Sequence, residues 1–198
     1  MTKSECREFI KSQVQENKPA FPELSKGLCN QILKCDSYKN SAKVFAYMPL
    51  PDEPDLRPVI IDALERGKEV YLPKVISSNS IDFYRVENLQ QLNSLKKGSF
   101  NILEPDSSLR IYNIDNLQKS AGISFSDILI LVPGRAFSKN GERLGRGKGY
   151  YDFFLSKFAE ISKPVFMGTA FSFQILTQIP SDKNDVMMDL IITERGLV

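Results

Sequence analysis

Between Leu131 and Leu155 the chain reads LVPGRAFSKNGERLGRGKGYYDFFL, and its chemistry-bearing residues are densest there. An apolar run stops at Pro133-Gly134. The loop beyond carries Arg135, Lys139, Arg143, Arg146 and Lys148 against one acid, Glu142, while Gly145, Gly147 and Gly149 alternate with the last two cations. Glycines let a backbone turn through positive φ and come close to a bulky ligand. Backbone N–H groups in such a loop, ahead of a helix, form a cradle for phosphate. The cations extend this to a polyanion such as a nucleoside triphosphate. The same composition also describes a solvated turn. No Ser or Thr follows Lys148 and the glycines run G-x-G-x-G, so neither a Walker A loop nor the Rossmann fingerprint is present. Tyr150-Tyr151-Asp152 then sets two rings and a carboxylate directly after the cations.

Three further groups of residues have the right types for chemistry. Lys3 and Arg7 are spaced to share one helical face, which is either a solvated basic strip or a second contact for an anion. Tyr47-Met48-Pro49-Leu50-Pro51-Asp52-Glu53 places two carboxylates in a proline-rich loop, and Tyr47 and Phe100 are flat rings that suit either a stacked heterocycle or the core. Asp152 and Asp185, with Asp189 nearby, are candidate metal ligands or, singly, caps and surface acids. The chain contains no His, which removes Ser-His-Asp and Cys-His catalysis and histidine-bound metals. A metal here takes oxygen ligands, which favours Mg²⁺.

Composition narrows the class. A length of 198 residues suits one domain, and 42% hydrophobic with 25% charged residues is ordinary for a globular protein with one core. The net charge is only +2, with the basic character confined to the loop, which argues against a nucleic-acid partner. No run approaches the roughly 18 apolar residues of a membrane span, and the first residues lack a signal-peptide pattern. Cys6, Cys29 and Cys35 have no CxxC spacing and read as reduced thiols. The expectation is a cytoplasmic monomer with no membrane partner.

Apolar spacing predicts the elements that must hold these residues. Helices are expected over 2–16, 23–35, 56–66, 87–97 and 150–158, and strands over 43–48, 69–73, 80–86, 128–132, 165–168 and 190–193. Strand–helix alternation predicts a single α/β domain over 1–198, three layers deep, with a largely parallel central sheet flanked by helices. In such sheets ligands sit beyond the C-terminal strand ends. That places the loops after Met48 and Val132 at the site.

The run Pro133-Gly134-x-x-Phe137 through Gly141-x-Arg143-Leu144-Gly145-x-Gly147-x-Gly149-Tyr150-Tyr151-Asp152 resembles the signature of the 5-formyltetrahydrofolate cyclo-ligases, also called 5,10-methenyltetrahydrofolate synthetases. The resemblance extends to Met48–Arg57, Leu103-Glu104-Pro105 and Gln174–Glu194, and so covers nearly the whole chain. Ser138 stands where the family usually has Asp, and Arg135 where it usually has an apolar residue. The resemblance implies ATP- and Mg²⁺-dependent ring closure of 5-formyltetrahydrofolate to 5,10-methenyltetrahydrofolate, through a phosphorylated formyl intermediate. It implies ATP contacts at Lys3, Arg7, Arg143, Leu144, Gly145, Arg146, Gly147, Lys148, Gly149, Tyr150 and Tyr151. Folate contacts fall on Met48, Glu53, Arg146, Gly147, Lys148, Gly149 and Tyr150, and Mg²⁺ on Asp152 and Asp185. Arg143, Arg146, Lys148 and Tyr151 are the residues expected to act on the reacting groups. Glu104-Pro105 belongs to the motif without an evident role.

Overall fold

The wholly apolar run from Ile128 reaches both faces of a sheet at once. In the computed structural model, which describes residues 1–114, 127–158 and 164–198, it forms the strand Ile128–Pro133 at the centre of the fold. The strands are β1 (Lys43–Phe45), β2 (Glu69–Val75), β3 (Ile81–Val86), β4 (Lys96–Lys97), β5 (Leu103–Glu104), β6 (Ile128–Pro133), β7 (Ala136–Ser138), β8 (Arg143–Leu144), β9 (Val165–Thr169), β10 (Ile175–Leu176), β11 (Leu190–Thr193) and β12 (Gly196–Leu197). The helices are α1 (Lys3–Asn17), α2 (Phe21–Lys34), α3 (Asp36–Asn40), α4 (Arg57–Glu65), α5 (Leu89–Asn93) and α6 (Tyr150–Ser156). The main sheet has seven strands in the order β12-β11-β9-β6-β1-β2-β3. All pairs are parallel except the two at the edges, β2–β3 and β11–β12.

Alternation along the strands builds two cores. Val44, Ala46, Leu129 and Leu131 pack with Leu28 and Ile32 of α2 and Val59, Ile60 and Ala63 of α4. Phe45, Ile130 and Val132 face the other way, onto Phe154 and Leu155 of α6. This is the three-layer α/β arrangement expected, with central strands buried on both sides. The strand order reverses between β1 and β6: from β1 the chain proceeds outward to β2, and from β6 to β9 and β11. Loops leaving the C-terminal ends of β1 and β6 therefore part in opposite directions and open a crevice, the place where such sheets bind ligands.

Several elements differ from the sequence expectation. The segment 87–97 is not one helix: α5 stops at Asn93, and Lys96–Lys97 pairs with Leu103–Glu104 as a hairpin. The Asn88 side chain accepts from Gln91 N at the start of α5, while Ser94 and Gly98 favour a turn at its end. The first strand is shorter than 43–48 because backbone pairing gives way before Pro49, although Ala46 N still donates to Tyr71 O. Pro22 sits in the first turn of α2 rather than ahead of it, where a missing N–H costs nothing.

A small second sheet, β10-β7-β8, was not expected. It carries the basic loop, and α1 covers it through Cys6, Ile10 and Val14 against Ala136, Leu144 and Ile179. The Thr2–Glu5 capping box starts α1. At the β7–β8 turn, Ser138 is fully buried and its hydroxyl donates to Glu142 (2.5 Å), whose carboxylate also accepts from Ile179 N (3.2 Å). An Asp at 138 would face Glu142 as a like charge, so the serine closes this turn without repulsion.

Candidate active site

The crevice at the β1–β6 reversal widens into a cavity of about 620 Å³. Tyr47, Met48 and Glu53 enter its lining from the loop after β1, and Pro133 and Gly134 from the end of β6. The basic loop forms another wall. It leaves β8 at Leu144 and turns at Gly147 (φ 96°) and Gly149 (φ 71°), backbone values that a side chain strongly disfavours, before α6 begins at Tyr150. Helix α1 closes over this loop: Arg7 Nε donates to Gly145 O (3.1 Å), and Lys3 Nζ reaches across to Asp185 (2.5 Å) and Asp182 (2.8 Å). Lys3 and Arg7, distant in sequence from every other candidate, thus line the same cavity as Lys148.

Carboxylates sort the cations of the site into two groups. Arg146 lies between Asp52 (2.5 Å) and Glu53 (2.9 Å), and Arg135 also binds Asp52 (2.5 Å). The departure at 135 is therefore no stray charge; it anchors the proline-rich loop to the end of β6. Arg143 is buried, pairs with Asp152 (2.7 Å) and lies over the Tyr151 ring. Among the described residues lining the cavity, Arg7 and Lys148 are the cations held by no carboxylate. Lys148 is also exposed.

Protonation follows from these pairings. Burial resists the charge on Lys3, but hydrogen bonds to Asp182 and Asp185 outweigh it and hold the ammonium above its usual range. Burial likewise opposes ionisation of Asp52, yet Arg146 and Arg135 win and keep it below its ordinary 3.8. Arg146 is disfavoured by burial and more than restored by Asp52 and Glu53. Burial, then the negative charge of Glu53, pushes the Tyr151 hydroxyl far up, so it remains a neutral O–H at physiological pH.

The Asp52 shift has a testable consequence. A depressed folded pKa means that its contribution to stability is present above the unfolded value of about 4 and is lost as pH falls through the folded value. The melting temperature of the parent should therefore drop more steeply below about pH 4 than that of Asp52→Asn. Thermal melts from pH 2 to 7 check this, and parallel curves would show that the ion pairs contribute nothing to folding.

Asp152 and Asp185 come together although they lie on different elements. Asp152, in the first turn of α6, accepts from Val186 N through Oδ1 (3.4 Å) and from Arg143 through the same oxygen. Asp185 engages Lys3 and Asp182 N through Oδ2. Each acid thus keeps its second oxygen off these bonds, and both line the cavity. One or two carboxylates are what Mg²⁺ commonly takes from a protein. The donor set fits the ion. Asp189 is elsewhere: its Oδ2 accepts from Phe166 N (2.8 Å) and it stays out of the lining.

The two rings considered for stacking separate clearly. Tyr47 is almost fully buried and its hydroxyl shares a hydrogen with Thr169 Oγ1 (2.9 Å). Phe100 is 59% exposed, at φ 56°, and lines the cavity. Asp182 was not singled out in the sequence, and Asp52 was noted there only as the second carboxylate of its loop. Each sits beside a chosen residue, Glu53 or Asp185, and only the fold shows that its carboxylate serves the same cation.

The model of the 5-formyltetrahydrofolate cyclo-ligase family matches residues 2–194. A mouse 5-formyltetrahydrofolate cyclo-ligase is 32% identical over 170 residues, covering 84% of this chain and 80% of that protein. The NMR structure of Aquifex aeolicus 5,10-methenyltetrahydrofolate synthetase superposes with a TM-score of 0.79 at 33% identity, over 100% of this chain and 92% of that one. A 5,10-methenyltetrahydrofolate synthetase from Mycoplasma pneumoniae, at 22% identity, shares the fold with a TM-score of 0.70 over 98% and 99% of the two chains. With a family model matched almost from end to end and a switch-point cavity walled by the motif that carries the resemblance, the chain belongs to the 5-formyltetrahydrofolate cyclo-ligase family.

Proposed function

We propose that ring closure takes place in the cavity between the β1 and β6 loops, with the folate at the Met48–Glu53 end and ATP along the basic loop. Family membership makes the chain an enzyme that converts 5-formyltetrahydrofolate to 5,10-methenyltetrahydrofolate. The observation that carries the assignment of the site is the presence of opposite chemistries in one cavity. An acid, Glu53, held by Arg146, and cations with no acid partner among the described residues, Arg7 and Lys148, line that cavity together.

In this reading the formyl oxygen attacks the γ-phosphorus and ADP leaves, so the formyl carbon becomes an imidate phosphate. N10 then attacks that carbon, the C–O bond breaks, inorganic phosphate departs and the N10 proton leaves with it to phosphate or water. Both steps need alignment and charge stabilisation more than a protein base, which is compatible with a chain without His. Lys148 and Arg7 hold the polyphosphate, and the backbone of Gly145–Gly149 lies against it. Arg146 sits where it can neutralise phosphate while remaining beside Glu53. Tyr151, kept as a neutral O–H, offers a donor and no charge. Tyr150 and Met48 bound the folate end, and the exposed face of Phe100 is free to stack on the pterin. Asp152 and Asp185 would hold Mg²⁺, which would supply charge neutralisation on the phosphates.

Glu53 accepts from the amide N–H and amino group of the pterin. Its carboxylate also accepts from Leu50 N (3.0 Å), which fixes the loop that presents it. Glu53→Gln should raise the KM for 5-formyltetrahydrofolate about tenfold, because an amide donor then opposes a pterin donor. The KM for ATP should move little. Calorimetric titration with the folate checks this, and equal affinity in both proteins would reduce Glu53 to a partner of Arg146.

The overall reading is tested by following methenyl absorbance from 5-formyltetrahydrofolate with and without ATP. Product that forms only with ATP supports it. No ATP-dependent product at any Mg²⁺ concentration would sink it.

A further inference from the structure

Among the residues that line the cavity is a buried acid, Glu104, whose Oε1 is directed to backbone. It accepts from Ser99 N (3.2 Å) and from Val75 N at the end of β2 (3.4 Å). A second tie runs alongside it: Lys74 Nζ donates to Pro105 O (2.9 Å). Glu104 therefore links three pieces, its own strand β5, the end of β2, and the turn between β4 and β5.

That turn is unusual. Phe100 (φ 56°) and Asn101 (φ 61°) are consecutive residues with side chains in the left-handed region, which persists only where the surroundings impose it. The turn is closed by Gly98 N to Ile102 O (2.8 Å) and Ile102 N to Ser99 O (3.1 Å), and it projects Phe100 to the cavity with its ring exposed. Gly98 is built around the acid: a Cβ there would fall 2.1 Å from Glu104 Oε2. A two-residue strand pair cannot by itself hold such a turn. The carboxylate grips Ser99 N, directly before the strained residues, and fastens it to the rigid main sheet.

We propose that Glu104 is a positioning residue for the folate: its buried carboxylate holds the 98–102 turn in the left-handed form that keeps the Phe100 ring over the cavity. This rests on the assignment of the cavity to the folate, and it predicts an effect confined to one substrate. Glu104→Ala should raise the KM for 5-formyltetrahydrofolate about tenfold, the worth of one charge-assisted hydrogen bond. The KM for ATP and kcat should stay within about twofold of the parent. Glu104→Gln keeps an acceptor oxygen and should recover most of the loss. Gly98→Ala, which pushes the carboxylate aside, should copy Glu104→Ala.

The decisive measurement is a cycle with Phe100→Ala. That change alone should raise the folate KM, and adding Glu104→Ala to it should then change little, because the ring that Glu104 positions is gone. Full additivity in the two backgrounds would overturn the proposal. So would a Glu104→Ala protein in which both KM values and kcat worsen together with a fall in melting temperature, since that is the mark of general support. A silent Phe100→Ala would also overturn it. The wider functional reading would still stand or fall separately, on ATP-dependent methenyl formation by the unaltered enzyme in the same assay.

Discussion

Lys148→Ala is expected to raise the KM for ATP by about tenfold to a hundredfold and to weaken folate binding far less. Arg135, Arg143 and Arg146 are engaged by Asp52, Asp152, and Asp52 with Glu53, respectively. A phosphate competing for any of them must weaken an existing ion pair. Lys148 faces no such competitor among the described residues and stands between the two glycines of positive φ that shape the loop. Its exposure means that its charge contributes little to folding, so truncation should leave the melting temperature within about 1 °C or 2 °C. With bound phosphate the contact becomes charge-assisted and partly desolvated, worth about 1.5–3 kcal/mol, which is the stated range of KM. Steady-state kinetics with ATP varied at saturating folate is the direct check. An unchanged KM for ATP would place Lys148 outside the site and leave Arg7 as the phosphate contact.

Asp152→Asn and Asp185→Asn should each raise the Mg²⁺ concentration for half-maximal rate by about tenfold or more, and the double variant should fall short of the product of the two. The two changes should differ in a second respect. Asp152 neutralises Arg143, whose side chain is only 5% exposed and whose Nε already lacks a partner. Removing that charge leaves a buried guanidinium poorly compensated, so Asp152→Asn should also lower the melting temperature. Asp185 neutralises Lys3, which is more exposed, and its loss should act mainly on Mg²⁺ and on the seating of α1 over the loop. Asp189→Asn is the control, because an amide oxygen can still accept from Phe166 N. Rate measured against Mg²⁺ concentration, with melts beside it, separates these effects. If Asp189→Asn were damaging and Asp185→Asn silent, the second ligand would be misassigned.

Some of this was legible before any coordinates. Local rules determined the first helix, expected over 2–16 and carrying Lys3 and Arg7, the doubly buried strand expected over 128–132, and the glycine–cation alternation ahead of Tyr150, because periodicity and glycine act over a few residues. The lack of His excluded whole classes of chemistry by composition alone. Family resemblance, rather than spacing, singled out Glu53 and Asp185 from their neighbours. What the sequence could not decide was which charges meet. The pairings Arg143–Asp152, Arg146–Glu53 and Lys3–Asp185 join residues 9, 93 and 182 positions apart, and which cations remain for a ligand depends on those pairings. The hairpin at Lys96–Glu104 escaped for a similar reason: its strands are too short to show a period, and its form depends on a buried carboxylate and on packing against the end of β2. Patterns written in neighbouring residues determine elements, whereas a site assembled from the ends of β1, β2, β6 and α1 exists only once long-range burial has brought those ends together.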